Sequence, residues 1–260
     1  MGKFPNEVVF AGAGPGDPEL MTIKSMKALQ KADLIIYTGS LVPEAVLCWK
    51  GDQAKTISSA DMNLDQIIQM ISAAHGRGKN VVRLHTGDPS MYGAIFEQIR
   101  ELEALGVPCS VIPGVTAAFA ASASMKMEFT LPETTQTLIL TRMAGRTPVP
   151  QEEDLSSLAA HKASMAIYLS MAHTARVQEI LEIHYGEKST CAVAYKVSHP
   201  EERILYCKIG ELDKTCRDNR ITRHALILVG KSVEACVRKT DPAKSKLYDS
   251  GFSHGYRKSK

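Results

Sequence analysis

The chain has 260 residues, of which 44% are hydrophobic and 23% charged, with a formal net charge of +3. These proportions are those of an ordinary soluble globular protein of one large or two ordinary domains, and no apolar run approaches the roughly 20 residues that a bilayer demands, which excludes a membrane span. Residues 1–10 lack the basic start, apolar centre and small-residue cleavage site of a secretory signal, so the cytoplasm is the expected compartment.

Short β-branched runs alternate with stretches of helical period, the pattern of an α/β protein with mostly parallel strands. Strands are predicted near 7–12, 33–37, 54–58, 80–85 and 108–112, with helices near 22–31, 42–49, 63–77, 90–105 and 116–124. The loop after the first strand, AGAGPGDP at 11–18, looks like the glycine-rich turn of a dinucleotide-binding fold but lacks its chemistry. Gly12 and Gly14 fit a G-x-G-x-x-G spacing, whereas Asp17 stands where the third glycine belongs, and Pro15 and Pro18 remove amides that would cradle a pyrophosphate. Asp33, the next acidic candidate for a ribose, opens the second strand instead of closing it. In the 63–77 segment Asn63 is an N-cap, and Leu64, Ile67, Ile68 and Ile71 share one face of a helix laid on a sheet. Gly-Asp-Pro occurs at 16–18 and again at 87–89, each time after a predicted strand, where open α/β sheets bind ligands; the tripeptide is also good turn chemistry.

After Met127 the proline-bearing connector FTLPETTQ marks an expected boundary, giving lobes at 1–127 and 128–237 and a basic tail at 238–260. The second half reads as strands near 135–141, 163–170, 190–196, 203–207 and 224–230, with helices near 153–160 and 173–184. The link VSHPEE between two of these strands is too short for a parallel crossover and predicts an antiparallel hairpin. Two αβα lobes with a ligand cleft between them are expected. The tail carries seven Lys/Arg against two Asp, which attracts a polyanion or an acidic partner, or else is a solvated terminus. Aromatics make up only 6% of a chain that is otherwise slightly acidic, so no nucleic acid partner is expected. Six cysteines form no C-x-x-C pair and eight histidines no H-x-x-x-H pair, so reduced structural thiols and no protein-bound metal are expected.

Three segments, VFAGAGPGDPELMTIKSMKALQKADLIIYTGSLV, VVRLHTGDPSMYG and VIPGVTAAFAASA, together resemble the tetrapyrrole methylase family, which uses S-adenosylmethionine. YTGSLVP, TRMAGRTPVP and SKLYDSGFSHGYR resemble the branch that methylates C-11 of precorrin-4 or its cobalt complex on the way to cobalamin. The resemblance runs over nearly the whole chain. It implies a two-lobed α/β fold with the active-site cleft between the lobes, S-adenosylmethionine as methyl donor, a tetrapyrrole substrate and a homodimer. The rival readings are a relative acting on another ring carbon and a non-catalytic tetrapyrrole-binding module.

By the same resemblance the cofactor is met by Pro15, by Gly87, Asp88 and Met91, by Thr116 and Ala117, and by Met171, Tyr195, Lys196 and Ala225. Gly14 and Gly16 line the tetrapyrrole trough, and Arg142 and Arg146 are candidates for its carboxylates. Asp17 either accepts from a loop amide or a pyrrole N–H or is a structural cap, and Thr116 is also a good N-cap. Relatives acting on uroporphyrinogen carry an aspartate, assigned to proton transfer, where this chain has Thr38, so Asp17 and Thr38 remain positioning candidates without an assigned catalytic base.

Overall fold

The computed structural model describes residues 7–39, 42–239, 243 and 245–258. Ser40 and Leu41 of the YTGSLV motif, and Asp241, Lys244 and Lys260 of the basic tail, lie outside the described residues. The chain divides into two compact units, Met1–Ala120 with Ser198–Pro200, and Ala121–Val197 with Glu201–Lys260. The division falls inside a helix, a few residues before the connector that marks the boundary in the sequence.

In the first unit, β1 (Val8–Gly12), β2 (Leu34–Tyr37), β3 (Lys55–Ser58), β4 (Val81–His85) and β5 (Cys109–Ile112) form a wholly parallel sheet in the order β3-β2-β4-β1-β5. Alternation along the strands assigns the two faces. Val9, Ala11, Ile35, Val82 and Leu84 pack with Ala28 and Leu29 of α1 (Ile23–Lys31). Val8, Phe10, Leu34, Ile36 and Val81 pack with Ile67, Ile68 and Ile71 of α2 (Leu64–Gly76) and with Leu102 of α3 (Ile95–Ala104). Both faces are covered, as a parallel sheet requires. The strands lie within one residue of their expected spans, whereas α3 starts five residues later than expected. Gly93 runs so close to Pro89 that a Cβ would stand 2.2 Å from its carbonyl oxygen, and Tyr92 and Ala94 take φ of 56° and 49°, so 88–94 is a constrained loop.

α4 (Ala117–Ser124) contains the division between the units. In the second unit, β6 (Leu138–Arg142), β7 (Ser164–Tyr168), β8 (Thr190–Tyr195), β9 (Arg203–Lys208) and β10 (Ala225–Val229) form a sheet in the order β6-β7-β10-β8-β9. The expected hairpin is present as β8–β9, but the expectation of mostly parallel strands holds only for the first unit. Here only β6–β7 is parallel, because β10 inserts antiparallel to both β7 and β8. Its sequence ALILV is buried on both faces from the second residue onward, which suits a central strand. Met165, Ile167, Cys191, Val193, Ile227 and Val229 face Val177 and Leu181 of α6 (Thr174–Tyr185), beside α5 (Leu155–Ala159) and α7 (Leu212–Asp218). α8 (Lys231–Arg238) follows β10. Sequence periodicity missed α7 and α8, whose seven and eight residues are too short to establish a period. Among the described residues, no helix is long and apolar enough to cross a membrane.

α2 begins with a complete capping box: Asn63 Oδ1 accepts from the Gln66 amide at 2.9 Å and Gln66 Oε1 from the Asn63 amide at 3.0 Å. Asn63→Ala is expected to lower unfolding stability by about 1 kcal/mol. Gly76→Ala, at a helical position with open space around it, is expected to raise it by about 0.5–1 kcal/mol. Urea denaturation of the two variants beside the parent checks both signs.

Candidate active site

Three loops leave the carboxyl ends of β1, β4 and β5 and close on one another through glycine. A Cβ on Gly12 would stand 2.6 Å from both Gly114 Cα and Gly87 O, and a Cβ on Gly114 would stand 2.0 Å from Gly87 O. The Ala13 amide donates to His85 O at 2.7 Å, and Gly14 and Gly87 exchange amide-to-carbonyl bonds at 3.2 and 2.8 Å. The Ala13 and Gly14 amides, which a dinucleotide fold would turn to a pyrophosphate, are therefore committed to His85 and Gly87. Asp33 sits at the other end of the sheet, accepting from the Asn80 amide at 2.8 Å, and is in no position to meet a ribose at this edge.

Asp88 joins two of the loops. Its Oδ2 accepts from the Gly114 amide and its Oδ1 from the Ser90 amide, both at 2.8 Å, and Oδ1 also accepts from the Ser90 hydroxyl. Burial works against its charge, but the Ser90 hydroxyl and the Gly114 and Ser90 amides outweigh it and hold the carboxyl below its ordinary value. Met91 follows in the turn that Asp88 begins, its amide donating to Asp88 O at 3.1 Å. Thr116 Cα lies 3.7 Å from where a Gly87 Cβ would be, at the start of α4 beside Ala117. Pro15 and Gly16 are buried in the first loop, and the His199 ring lies over Gly16 where a Cβ would stand. The Asp17 amide donates to Ser198 Oγ, and its carboxylate accepts from the Glu19 amide at 2.8 Å, so this side chain caps a short 3-10 turn.

The β4 sequence VVRLH places two charge-bearing residues in an apolar strand, and sequence reasoning passed over both. Alternation puts Arg83 and His85 on the Val81 face. Arg83 is 3% exposed and His85 1%. His85 stacks on Phe10 at 5.9 Å between ring centroids, and its Nε2 has no hydrogen-bond partner among the described residues. Burial, with the neighbouring Arg83 charge, pushes its pKa down to about 3. Thr38 follows β2, its amide donating to Leu84 O and its hydroxyl buried without a partner among the described residues. A lone Arg in a run of Val and Leu was the available signal.

In the second unit the remaining candidates gather at one edge of the sheet. Tyr195 ends β8 opposite Ala225 of β10, and the Lys196 amide donates to His224 O at 2.8 Å. Arg203 lies over the Tyr195 ring at 4.8 Å, and Lys196 pairs with Glu201 at 3.0 Å. Met171 is buried just beyond β7, after Ser170, whose hydroxyl accepts from the Met143 amide at 2.9 Å. Arg142 ends β6 and turns back on its own loop, donating to the carbonyls of Met143, Thr147 and Pro148 at 3.3, 3.2 and 2.7 Å. Those bonds occupy the guanidinium expected to meet carboxylates. Arg146, in the same loop, is exposed.

A family model described as tetrapyrrole (corrin/porphyrin) methylases matches residues 7–213. A cobalt-precorrin-4 C(11)-methyltransferase of Methanocaldococcus jannaschii is 47% identical over 254 residues, covering 97% of this chain and 96% of that protein. A precorrin-4 C(11)-methyltransferase of Pseudomonas aeruginosa is 44% identical, covering 96% and 98%. The X-ray structure of a cobalamin biosynthetic enzyme, cobalt precorrin-4 methyltransferase, superposes with a TM-score of 0.85 at 41% identity, over 88% of this chain and 96% of that one.

The backbone crossing predicts that Gly114→Ala destabilises the protein by about 3 kcal/mol, since a methyl group has to displace backbone; an unchanged melting temperature contradicts it. Because the folded pKa of His85 lies below the 6.5 of the unfolded chain, the unfolded state takes up a proton that the folded state refuses. Stability therefore falls as pH drops from 6.5 towards 3, by about 2 kcal/mol at pH 5. In His85→Phe this part of the acid loss is expected to vanish, read from urea midpoints at pH 7 and 5.

Proposed function

The chain belongs to the tetrapyrrole (corrin/porphyrin) methylases, and from that premise we propose that it is an S-adenosylmethionine-dependent methyltransferase that methylates C-11 of precorrin-4 or its cobalt complex. The observation that carries this reading is the 44–47% identity, over nearly the whole chain, with enzymes of both names. When bound, S-adenosylmethionine supplies a methyl group already activated for transfer to an electron-rich ring carbon, with a thioether as leaving group. The protein accordingly needs no nucleophile of its own.

The chain's task is then to position the reactants and exclude water, and effects of this kind are worth several kcal/mol. Pro15, Gly87, Met91, Thr116 and Ala117 of the first unit are proposed as cofactor contacts. Bare backbone at Gly87 suits a ligand lying close against the loops, whereas Gly14 and Gly16, proposed for the tetrapyrrole trough, are covered by the Leu20 backbone and the His199 ring. Asp88 acts mainly through its bonds to Gly114 and Ser90, which set the two loops in register. Met171, Tyr195, Lys196 and Ala225 are retained as proposed adenosine contacts in the second unit. Arg146 is the better remaining candidate for a substrate carboxylate, since Arg142 is engaged. Thr38 holds a hydroxyl, too weak a base to take a proton at neutral pH, and its proposed part is orientation.

Calorimetric titration with S-adenosylhomocysteine tests the reading. The parent is expected to bind, and Asp88→Ala to bind about tenfold more weakly, the scale of losing hydrogen bonds to a charged group. Transfer of one methyl group to precorrin-4 or cobalt-precorrin-4, detected by mass, completes the assignment. Absence of binding by folded parent overturns it in favour of the non-catalytic module.

A further inference from the structure

The first unit contains an open pocket of about 310 Å³ beyond the carboxyl ends of β2 and β3, reaching Arg83 of β4 and flanked by α2 and α3. Its size matches the lower end of small-molecule sites. Met62, Leu64 and Ile67 supply an apolar wall, and Thr38, Ser59, Arg83 and Gln98 a polar one. The polar wall is unusual in its charge. Arg83 donates from Nε to Gln98 Oε1 at 3.0 Å and from Nη1 to Ser59 Oγ at 2.8 Å and Ile36 O at 3.4 Å.

Each of those acceptors is neutral, and Nη2 has no acceptor among the described residues. Burial lowers the pKa of Arg83 to about 10, which still leaves the guanidinium charged at neutral pH. Glu97 lines the rim and is exposed, but forms no ion pair with it among the described residues. A buried cation without a counter-charge is costly, and natural proteins keep such groups paired. The Thr38 hydroxyl, buried and also without a partner among the described residues, lines the same pocket.

We propose that this pocket seats one carboxylate arm of the tetrapyrrole, received by Arg83 Nη2 and the Thr38 hydroxyl, an assignment that rests on the methyltransferase reading above. A carboxylate supplies the missing counter-charge and accepts both free donors. The apolar wall receives the methylene and ring carbons that carry it. Arg83, rather than the engaged Arg142, is then the first carboxylate anchor.

The test is fluorescence titration of the folded protein with uroporphyrin III and with its octamethyl ester, on the parent, Arg83→Lys and Thr38→Val. S-adenosylhomocysteine affinity is measured on all three by calorimetry. Uroporphyrin binding is expected to weaken at least about tenfold in Arg83→Lys, which keeps the charge and loses the planar fork, and several-fold in Thr38→Val. The ester is expected to bind all three alike, and S-adenosylhomocysteine affinity to stay unchanged. If Arg83→Lys does not fold, Thr38→Val, which removes only a hydroxyl, decides. Unchanged uroporphyrin affinity in folded variants overturns the assignment, as does binding of inorganic phosphate that the same variants abolish while uroporphyrin is unaffected. Loss of S-adenosylhomocysteine binding by the parent, with Arg83-dependent uroporphyrin binding intact, overturns the methyltransferase reading and leaves the carboxylate seat standing.

Discussion

The first unit depends on a contact that contains no side chains. Gly12, Gly87 and Gly114 bring three loops to backbone contact at the ends of β1, β4 and β5, with no room for a methyl group at Gly12 or Gly114. Close approach lets Gly14 and Gly87 exchange hydrogen bonds in an isolated antiparallel bridge just past the last regular residues of β1 and β4. The loops so tied present rigid backbone to a ligand, a suitable surface for a reaction that needs its partners held and little else. Asp88 continues the same logic with a charge: its Oδ2 ties the second loop to the third through the Gly114 amide, and its Oδ1 fixes the turn of its own loop through Ser90.

That crossing also sets the limits of the polar chemistry behind it. β4 is central, with β1 on one side and β2 on the other, so any polar residue on it is withdrawn from water. His85 answers by staying neutral against Phe10, and Arg83 by staying charged on three neutral acceptors. Two titratable groups on one strand thus take opposite protonation states. The guanidinium has so high an intrinsic pKa that burial cannot discharge it, whereas imidazole loses its proton readily.

The second unit solves a different problem by different means. Its candidate residues stand where β6, β7 and β8 end and the antiparallel β10 begins, and the insertion of β10 is what sets Ala225 opposite Tyr195. Small and aromatic residues meet there, with Arg203 stacked over the Tyr195 ring. Arg142 spends its donors on three carbonyls of the loop that follows it, so its charge serves the shape of that loop.

Most strand positions and the start of α2 were legible in the sequence, because alternation and the Asn63 N-cap are written within a few residues of where they act. The exclusion of a dinucleotide loop was equally local, resting on Pro15, Asp17 and Pro18. The motif resemblance, also read from the sequence, led to the family. Sheet order, the place of β10 and the late start of α3 at Ile95 were decided only in three dimensions, since they depend on pairings between residues far apart in the chain and on the room around Gly93. The same holds for the site: residue types at Arg83, Asp88 and Arg142 were visible from the start, but whether a charged group is free or already engaged depends on which carbonyls, amides and hydroxyls the fold brings within about 3 Å of it.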